Sequence, residues 1–418
     1  MKKLLSLVAA LCLTTSAIFA ERIFEFGIDV LAQGNENFMP LEDIFVEDLV
    51  IDLPAIADSM GDEGFVLDAL FEPSLYTNFY IGGYGVGASL SLDGYMKVGI
   101  GKDFWDFLAY GNNVEDSIEV PVSAGTEFYV EIAAPISFKI GKFQIKVAPA
   151  AFMPVVYVPN PNAKIVVSTN SDGSMTANGS ATYTVYTATD ISNIFDKNWQ
   201  LKSGASYSDL TKNLSTDIWQ TVGLDIDAEV EYPLLSFLTL GGYTHIPVIP
   251  GRLNYSATQT FTANATLNPV LDSLQSGSSV SYDYTYEFGE LTFGNETYSV
   301  NRPLRLGVTA CVKVPFVGNL TVLPKIGFAT RNPFGEDYNF AENSMLEYSL
   351  GVHYSLLNML NFSLTHEFYN QVFSNYAGFA LNVRVLQLNL LVGTSGPTFA
   401  ESFSIEGLKA KVGICVGF

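Results

Sequence analysis

Positive charge, histidine, cysteine and long apolar runs are all scarce in this chain. Lys and Arg total 21 against 43 Asp and Glu, for a formal net charge of −22. A polyanion would be repelled, which excludes nucleic acid as a partner. Only three histidines occur, His245, His353 and His366, with no G-x-S-x-G, H-E-x-x-H, P-loop or paired C-x-x-C pattern. No enzyme, cofactor or resident metal is expected. His366 falls on an outward strand phase near a rim, where a lone histidine reads as an interface residue. Of the three cysteines, Cys12 lies in the leader, and Cys311 and Cys415 fall on strands far apart. A disulfide needs Cα atoms within about 7 Å, so two free thiols are expected. After Ala20 no apolar run approaches the roughly 18 residues of a spanning helix.

The chain is nonetheless 48 % hydrophobic and 13 % aromatic, with a mean hydropathy of +0.23. That apolar content must be spread over strands, and a closed barrel satisfies the pattern. At the N-terminus Lys2 and Lys3 precede the apolar run Leu4 to Leu13, with Ala20 before Glu21. Residues 1–20 read as a secretory signal peptide. At the other end Leu408, Ala410, Val412, Ile414, Val416 and Phe418 alternate with Lys409, Lys411, Gly413, Cys415 and Gly417. One face suits lipid and the other water. Closing on an aromatic, this segment resembles the C-terminal strand of bacterial outer-membrane β-barrels. The resemblance implies that Phe418 is the signal read by the outer-membrane assembly machinery.

Period-2 alternation recurs along the chain. Phe128, Val130, Ile132, Ala134, Ile136, Phe138 and Ile140 oppose Glu127, Tyr129, Glu131, Ser137 and Lys139. Leu304, Leu306, Val308, Ala310, Val312 and Val314 oppose Arg305, Gly307, Thr309, Cys311 and Lys313. Leu224, Ile226, Ala228, Val230 and Tyr232 oppose Asp225, Asp227, Glu229 and Glu231. Tight reversals are expected at Asp93-Gly94, Gly141-Lys142, Pro233 to Ser236, Pro315 to Asn319, Ser355 to Asn358 and near Leu386. Longer polar connections, 159–221 and 250–301, alternate with them, and parts such as Ala181 to Thr187 still show strand periodicity. Short turns at one rim and long loops at the other are the asymmetry of an outer-membrane barrel.

The fold class expected is therefore all-β, a transmembrane antiparallel barrel of about fourteen strands, give or take two. Residues 21–78 are expected to form an N-terminal hatch, or a first strand plus a plug segment, and 79–418 the barrel. The apolar, acidic and weakly periodic stretch from Asn37 to Leu75 motivates the plug. Gly83, Gly85 and Gly87 form a small inner stripe on the following strand. Glycine there either leaves room for a plug or relieves crowding in the wall.

The inward charges are the candidate lumen residues. Asp225, Asp227, Glu229 and Glu231 form an acidic ladder, and Lys139, Lys146, Arg305, Lys313, Arg384, Lys409 and Lys411 face inward elsewhere. In an open lumen such rows set ion preference, and in a narrow one they pair as internal glue. Pairing is favoured, because adjacent carboxylates repel unless cations lie near.

Taken together, the terminal Phe418, the strand number, the segment before Phe79 and the glycine-rich strand after it resemble spirochaete-type relatives of the long-chain fatty acid outer-membrane transporter family. The resemblance implies a barrel with an N-terminal hatch, passage of hydrophobic substrates through the wall, and outer-membrane lipid as surroundings. The family's Asn-Pro-Ala signature does not follow Ala20, so no substrate or gating residue transfers by position. Uptake of hydrophobic small molecules, with long-chain fatty acids as the implied class, is the expected function. A general diffusion porin and a surface-exposed adhesion or structural barrel remain as alternatives.

Overall fold

The computed structural model describes residues 23–36, 52–61 and 64–418, apart from 268–281, 331–344 and shorter stretches at 114, 160, 207, 210–211, 213–216, 218, 316–318, 358, 371, 384, 397 and 404–406. The leader, most of the Asn37 to Leu75 stretch before Asp52, and Arg384 lie outside the described residues. In chain order the strands are β1 (Phe24–Glu36), β2 (Phe65–Ile81), β3 (Tyr84–Ile100), β4 (Ser117–Ala133), β5 (Ile136–Ile140), β6 (Phe143–Val158), β7 (Asn162–Thr169) and β8 (Met175–Thr187). They continue with β9 (Gly223–Leu235), β10 (Leu238–Ile249), β11 (Gly251–Leu253), β12 (Tyr255–Leu267), β13 (Tyr282–Phe288), β14 (Thr292–Gly294) and β15 (Tyr298–Val300). The last are β16 (Arg305–Lys313), β17 (Leu320–Ala329), β18 (Met345–Leu356), β19 (Leu360–Tyr369), β20 (Val372–Val383), β21 (Leu386–Gly396) and β22 (Gly407–Gly417). Among the described residues two α-helices, α1 (Leu53–Ser59) and α2 (Lys102–Tyr110), and a short 3-10 helix at Glu401–Phe403 lie in connections.

The wall closes because β1 pairs antiparallel with both β2 and β22, Ile28 lying opposite Leu75 on one side and Ile414 on the other. At this seam the Phe418 carbonyl accepts hydrogen bonds from the backbone N–H of Ile23 (2.8 Å) and Phe24 (3.1 Å). The Phe24 and Phe418 rings are 5.4 Å apart. From β2 the wall runs through β3 to β4 and β5, which form one strand interrupted at Ala134-Pro135. Proline supplies no ladder donor, so the interruption falls where pairing would require one. The wall continues through β6, β9, β10, and β16 to β22.

Toward the long-connection rim β7 continues the line of β6 along β4, pairing with Ser117 to Val122, and β8 folds back beside it, pairing with β7 and with Val156 and Tyr157 of β6. Counting β7 and β8 with the fourteen strands of that circuit, the closed antiparallel barrel has 16, within the expected fourteen give or take two. The addition comes from the 159–221 connection, part of which supplies wall instead of loop. Below the hairpin, β6 pairs directly with β4, β5 and β9.

One expectation is corrected. Asp93 and Gly94 do not form a reversal but lie inside β3, which turns from β2 at Gly82 and Gly83. A side chain on Gly94 would collide with the Phe128 ring of β4, so the glycine serves packing between strands. Of the alternatives for residues 21–78 the first strand is the one that forms, as β1, and the wall also takes in β2, most of which precedes Phe79. The described part of the expected plug is α1, whose Ile56 and Met60 pack against Phe65 and Trp105 at the long-connection rim. Tyr110 of α2 donates to Asp58 beside it at 2.6 Å.

A different segment folds into the barrel. β11 and β15 form a two-stranded sheet whose Leu253 and Val300 are buried against Tyr129 of β4 and Phe152 and Tyr157 of β6. Tyr298 stacks on Tyr157 with centroids 4.6 Å apart. These wall residues sit on the inward phase, so the short sheet occupies the barrel's interior next to β4 and β6.

Candidate functional site

The interior site is built from strand alternation plus one residue outside it. Asp225, Asp227, Glu229 and Glu231 project inward from β9, as their phase requires. Arg302, in the connection from β15 to β16, reaches the same region. Its guanidinium donates to Asp225 at 2.9 Å and pairs with Glu131, with Asp93 at 3.7 Å. It also lies over the Phe152 ring at 5.2 Å. Three carboxylates from β3, β4 and β9 thus converge on one cation brought in by the interior segment. Opposed charges offset the desolvation each would suffer alone. His245 of β10 adds contacts to Asp227 (2.8 Å) and Asp225 (3.6 Å).

Farther round, Arg305 donates to Asn370 at 2.6 Å, lies 3.6 Å from Glu347 and covers the Tyr369 ring at 4.3 Å. Beside these groups is an interior cavity of about 820 Å³. Its lining includes Glu72, Asp93, Glu131, Asp227, Glu229, Glu231 and Glu347.

A shallow, largely open depression of about 700 Å³, the outward cavity, lies on the outward face, lined by Val230, Gly242, Leu306, Val308, Ile326 and Phe328 among others. Ala228, Glu229, Tyr243 and Thr244 border both cavities. The register explains the junction. Tyr243 lies opposite Gly307, which lies opposite Gly327, and a Cβ on either glycine would strike the tyrosine ring. The ring therefore lies across bare backbone on the inner face. Gly242, of opposite phase, leaves a matching gap outside, opposite Val230 and Val308. Lys325 places Nζ 4.1 Å from the Tyr243 ring centroid.

No family model and no curated protein matches this chain. Among solved structures it is similar to the toluene transporter TodX of Pseudomonas putida, with a TM-score of 0.45 and 9 % identity over 97 % of this chain and 91 % of that one. The toluene transporter TbuX of Ralstonia pickettii gives 0.44 and 6 % over 95 % and 88 %. A FadL homologue of Pseudomonas aeruginosa gives 0.33 and 11 % over 98 % and 92 %.

The remaining expected residues are distributed as follows. Lys146 lies 3.7 Å from Glu229, both half-exposed, a pairing of little energetic weight. Lys409 pairs with Glu367, and Lys411 lies 3.4 Å from Asp29, both near the β1–β22 seam and apart from the cavity. Lys139 and Lys313 sit at the short-turn rim, opposite Gln144 and Thr321, and do not line the cavity. Cys311 and Cys415 are free thiols.

The glycine stripe divides. Gly83 belongs to the β2–β3 turn, where its φ of +86° suits glycine. The space beside Gly85 is taken by Tyr80 and Ser137, and that beside Gly87 by Asn78 and Pro135. Neighbouring wall side chains, and not a plug, occupy the room these two glycines leave.

His366 hydrogen-bonds Asn375 (2.7 Å) and Tyr348 (3.1 Å) within an aromatic cluster that includes Phe373, Phe399 and Phe403. Ser402 is buried and bonded to Asn375 and to the Phe399 carbonyl, so its hydroxyl is not presented to the imidazole. Sequence reasoning missed Arg302, Asp93 and Tyr243. Arg302 sits in an aperiodic connection, and Asp93 was hidden by the apparent Asp-Gly turn. For Tyr243 the available signal was the cluster Gly241, Gly242, Gly307 and Gly327 on strands otherwise well filled.

Proposed function

We propose that the barrel spans a bacterial outer membrane and takes up hydrophobic small molecules, which leave the interior through the wall beside Tyr243 into surrounding lipid. The carrying observation is the meeting of an interior cavity and an apolar outward cavity at Tyr243, across backbone stripped of side chains by Gly242, Gly307 and Gly327. An apolar molecule gains by moving from water to an apolar pocket and then to lipid, with no polar group to strip of water on the way. The exposed apolar residues of alternating strands, such as Leu408, Val412, Ile414 and Val416, form the lipid-facing side in this reading. Residues 1–20 would direct export and Phe418 would engage the assembly machinery.

Long-chain fatty acids fit the outward cavity through their tails. Their carboxylates would have to pass the acidic interior, so apolar cargo without an anionic head group is favoured over them. The carboxylate-rich cavity also keeps a cation-preferring porin as the second reading. Uptake of radiolabelled toluene by bacteria producing the protein tests the proposal. Uptake above the level of non-producing cells, lost on Gly242→Leu, supports passage at this place. Equal uptake by the variant contradicts it.

A further inference from the structure

We infer that the interior cavity takes cargo bearing a protonated amine on an apolar body. This rests on the uptake reading above and narrows its substrate class. Seven carboxylates and four Lys or Arg residues line the cavity, together with five tyrosines. An excess of carboxylates beside aromatic faces is the environment that holds an organic cation, by charge and by the ring quadrupole. The chain itself illustrates this, since the Arg302 guanidinium rests among Asp93, Glu131 and Asp225 over the Phe152 and Tyr129 rings.

A separate observation marks where a second cation would bind. Glu347 is 3 % exposed and lines the cavity near Arg305 and Lys325, and apart from a contact to the Asn370 backbone N–H its carboxylate oxygens have no hydrogen-bond partner. Arg305, its nearest ion-pair partner, stands 3.6 Å away and donates instead to Asn370. The Tyr243 hydroxyl, which lies against Gly327 in the position opposite Glu347, is also buried without a hydrogen-bond partner. A buried carboxylate in that state is costly, and an ammonium group donating up to three hydrogen bonds would satisfy it. The cargo's apolar body would then lie toward Tyr243, where the outward cavity begins. An anionic head group would face carboxylates on several strands.

The test is calorimetric binding of octylammonium, octanol and octanoate to the intact detergent-solubilised barrel. The three probes share one tail and differ in head-group charge. The amine is expected to bind roughly tenfold more tightly than octanol, with octanoate weakest. Glu347→Gln is expected to remove the amine's advantage and leave octanol affinity unchanged. Octanol binding as tightly as the amine in the unmodified protein overturns this inference and leaves hydrophobic uptake standing. Octanoate binding most tightly also overturns it. If none of the three binds, the uptake reading fails with it. The unmodified protein decides the question even if Glu347→Gln does not fold.

Discussion

Arg302 donates to the Asp225 carboxylate at 2.9 Å and so fastens the connection before β16 to the inner face of β9. The side chain of Asp225 is fully buried and that of Arg302 is 20 % exposed. The contact therefore ties the interior sheet β11–β15 to the wall at a point shielded from water.

Replacing Arg302 by Ala leaves Asp93, Glu131 and Asp225 without their shared cation. Removing one partner of a buried ion pair costs about 3–5 kcal/mol. The variant is expected to unfold at lower urea concentration and to show larger single-channel conductance than the unmodified barrel, as the interior segment loosens. Unchanged conductance would mean that β11 and β15 do not restrict the lumen.

Tyr243→Ala uncovers Gly307 and Gly327 and joins the interior and outward cavities. Passage of apolar molecules is expected to rise, while Gly327→Ala, which displaces the same ring, is expected to lower stability by about 1–3 kcal/mol through overpacking. Toluene uptake by producing cells and urea midpoints of the purified proteins check the two effects.

Gly94 separates two readings of β3. If it served a turn, Gly94→Asn would be tolerated, since Asn accepts a positive φ, whereas inside β3 the Phe128 ring opposes any side chain. Because its Cβ would meet the Phe128 ring, a loss of about 1–3 kcal/mol is expected. Urea denaturation followed by tryptophan fluorescence measures it.

Removing Phe418 deletes the carbonyl that accepts from Ile23 and Phe24, as well as the ring packed on Phe24. Refolding into detergent is expected to give less of the heat-modifiable, compact gel species. Phe418→Tyr, which keeps the backbone contacts and the ring, is expected to refold normally.

How far the sequence revealed this molecule differs between wall and interior. β9, β16 and β22 were legible because one side faces an apolar and the other a polar environment, which imposes strict alternation. The free thiols followed from the separation of their strands, and the same alternation sets Asp225, Asp227, Glu229 and Glu231 on one side of β9. β2 was obscured because Phe65 to Leu75 is apolar on both phases where it approaches the rim. Its apolar content suggested a plug, whereas the segment inside the barrel comes from the polar 250–301 connection and its immediate end. Leu253, Val300 and Arg302 show no periodicity there, since three-residue strands are too short to display one. The pairing of inward charge was foreseeable from repulsion, but its main cation was not among the strand residues. Tyr243 alternates like any inward residue, and only the cross-strand register places it over two glycines.

Photolabelling tests the central claim most directly. The purified barrel, in lipid vesicles, is exposed to an uncharged alkyl diazirine added from water, illuminated, and its adducts are located by mass spectrometry. Passage through the wall at Tyr243 predicts adducts concentrated on Tyr243, Val230 and Val308, and their loss on Gly242→Leu. Adducts spread evenly over the lipid-facing residues of all strands, unchanged by that substitution, would contradict it.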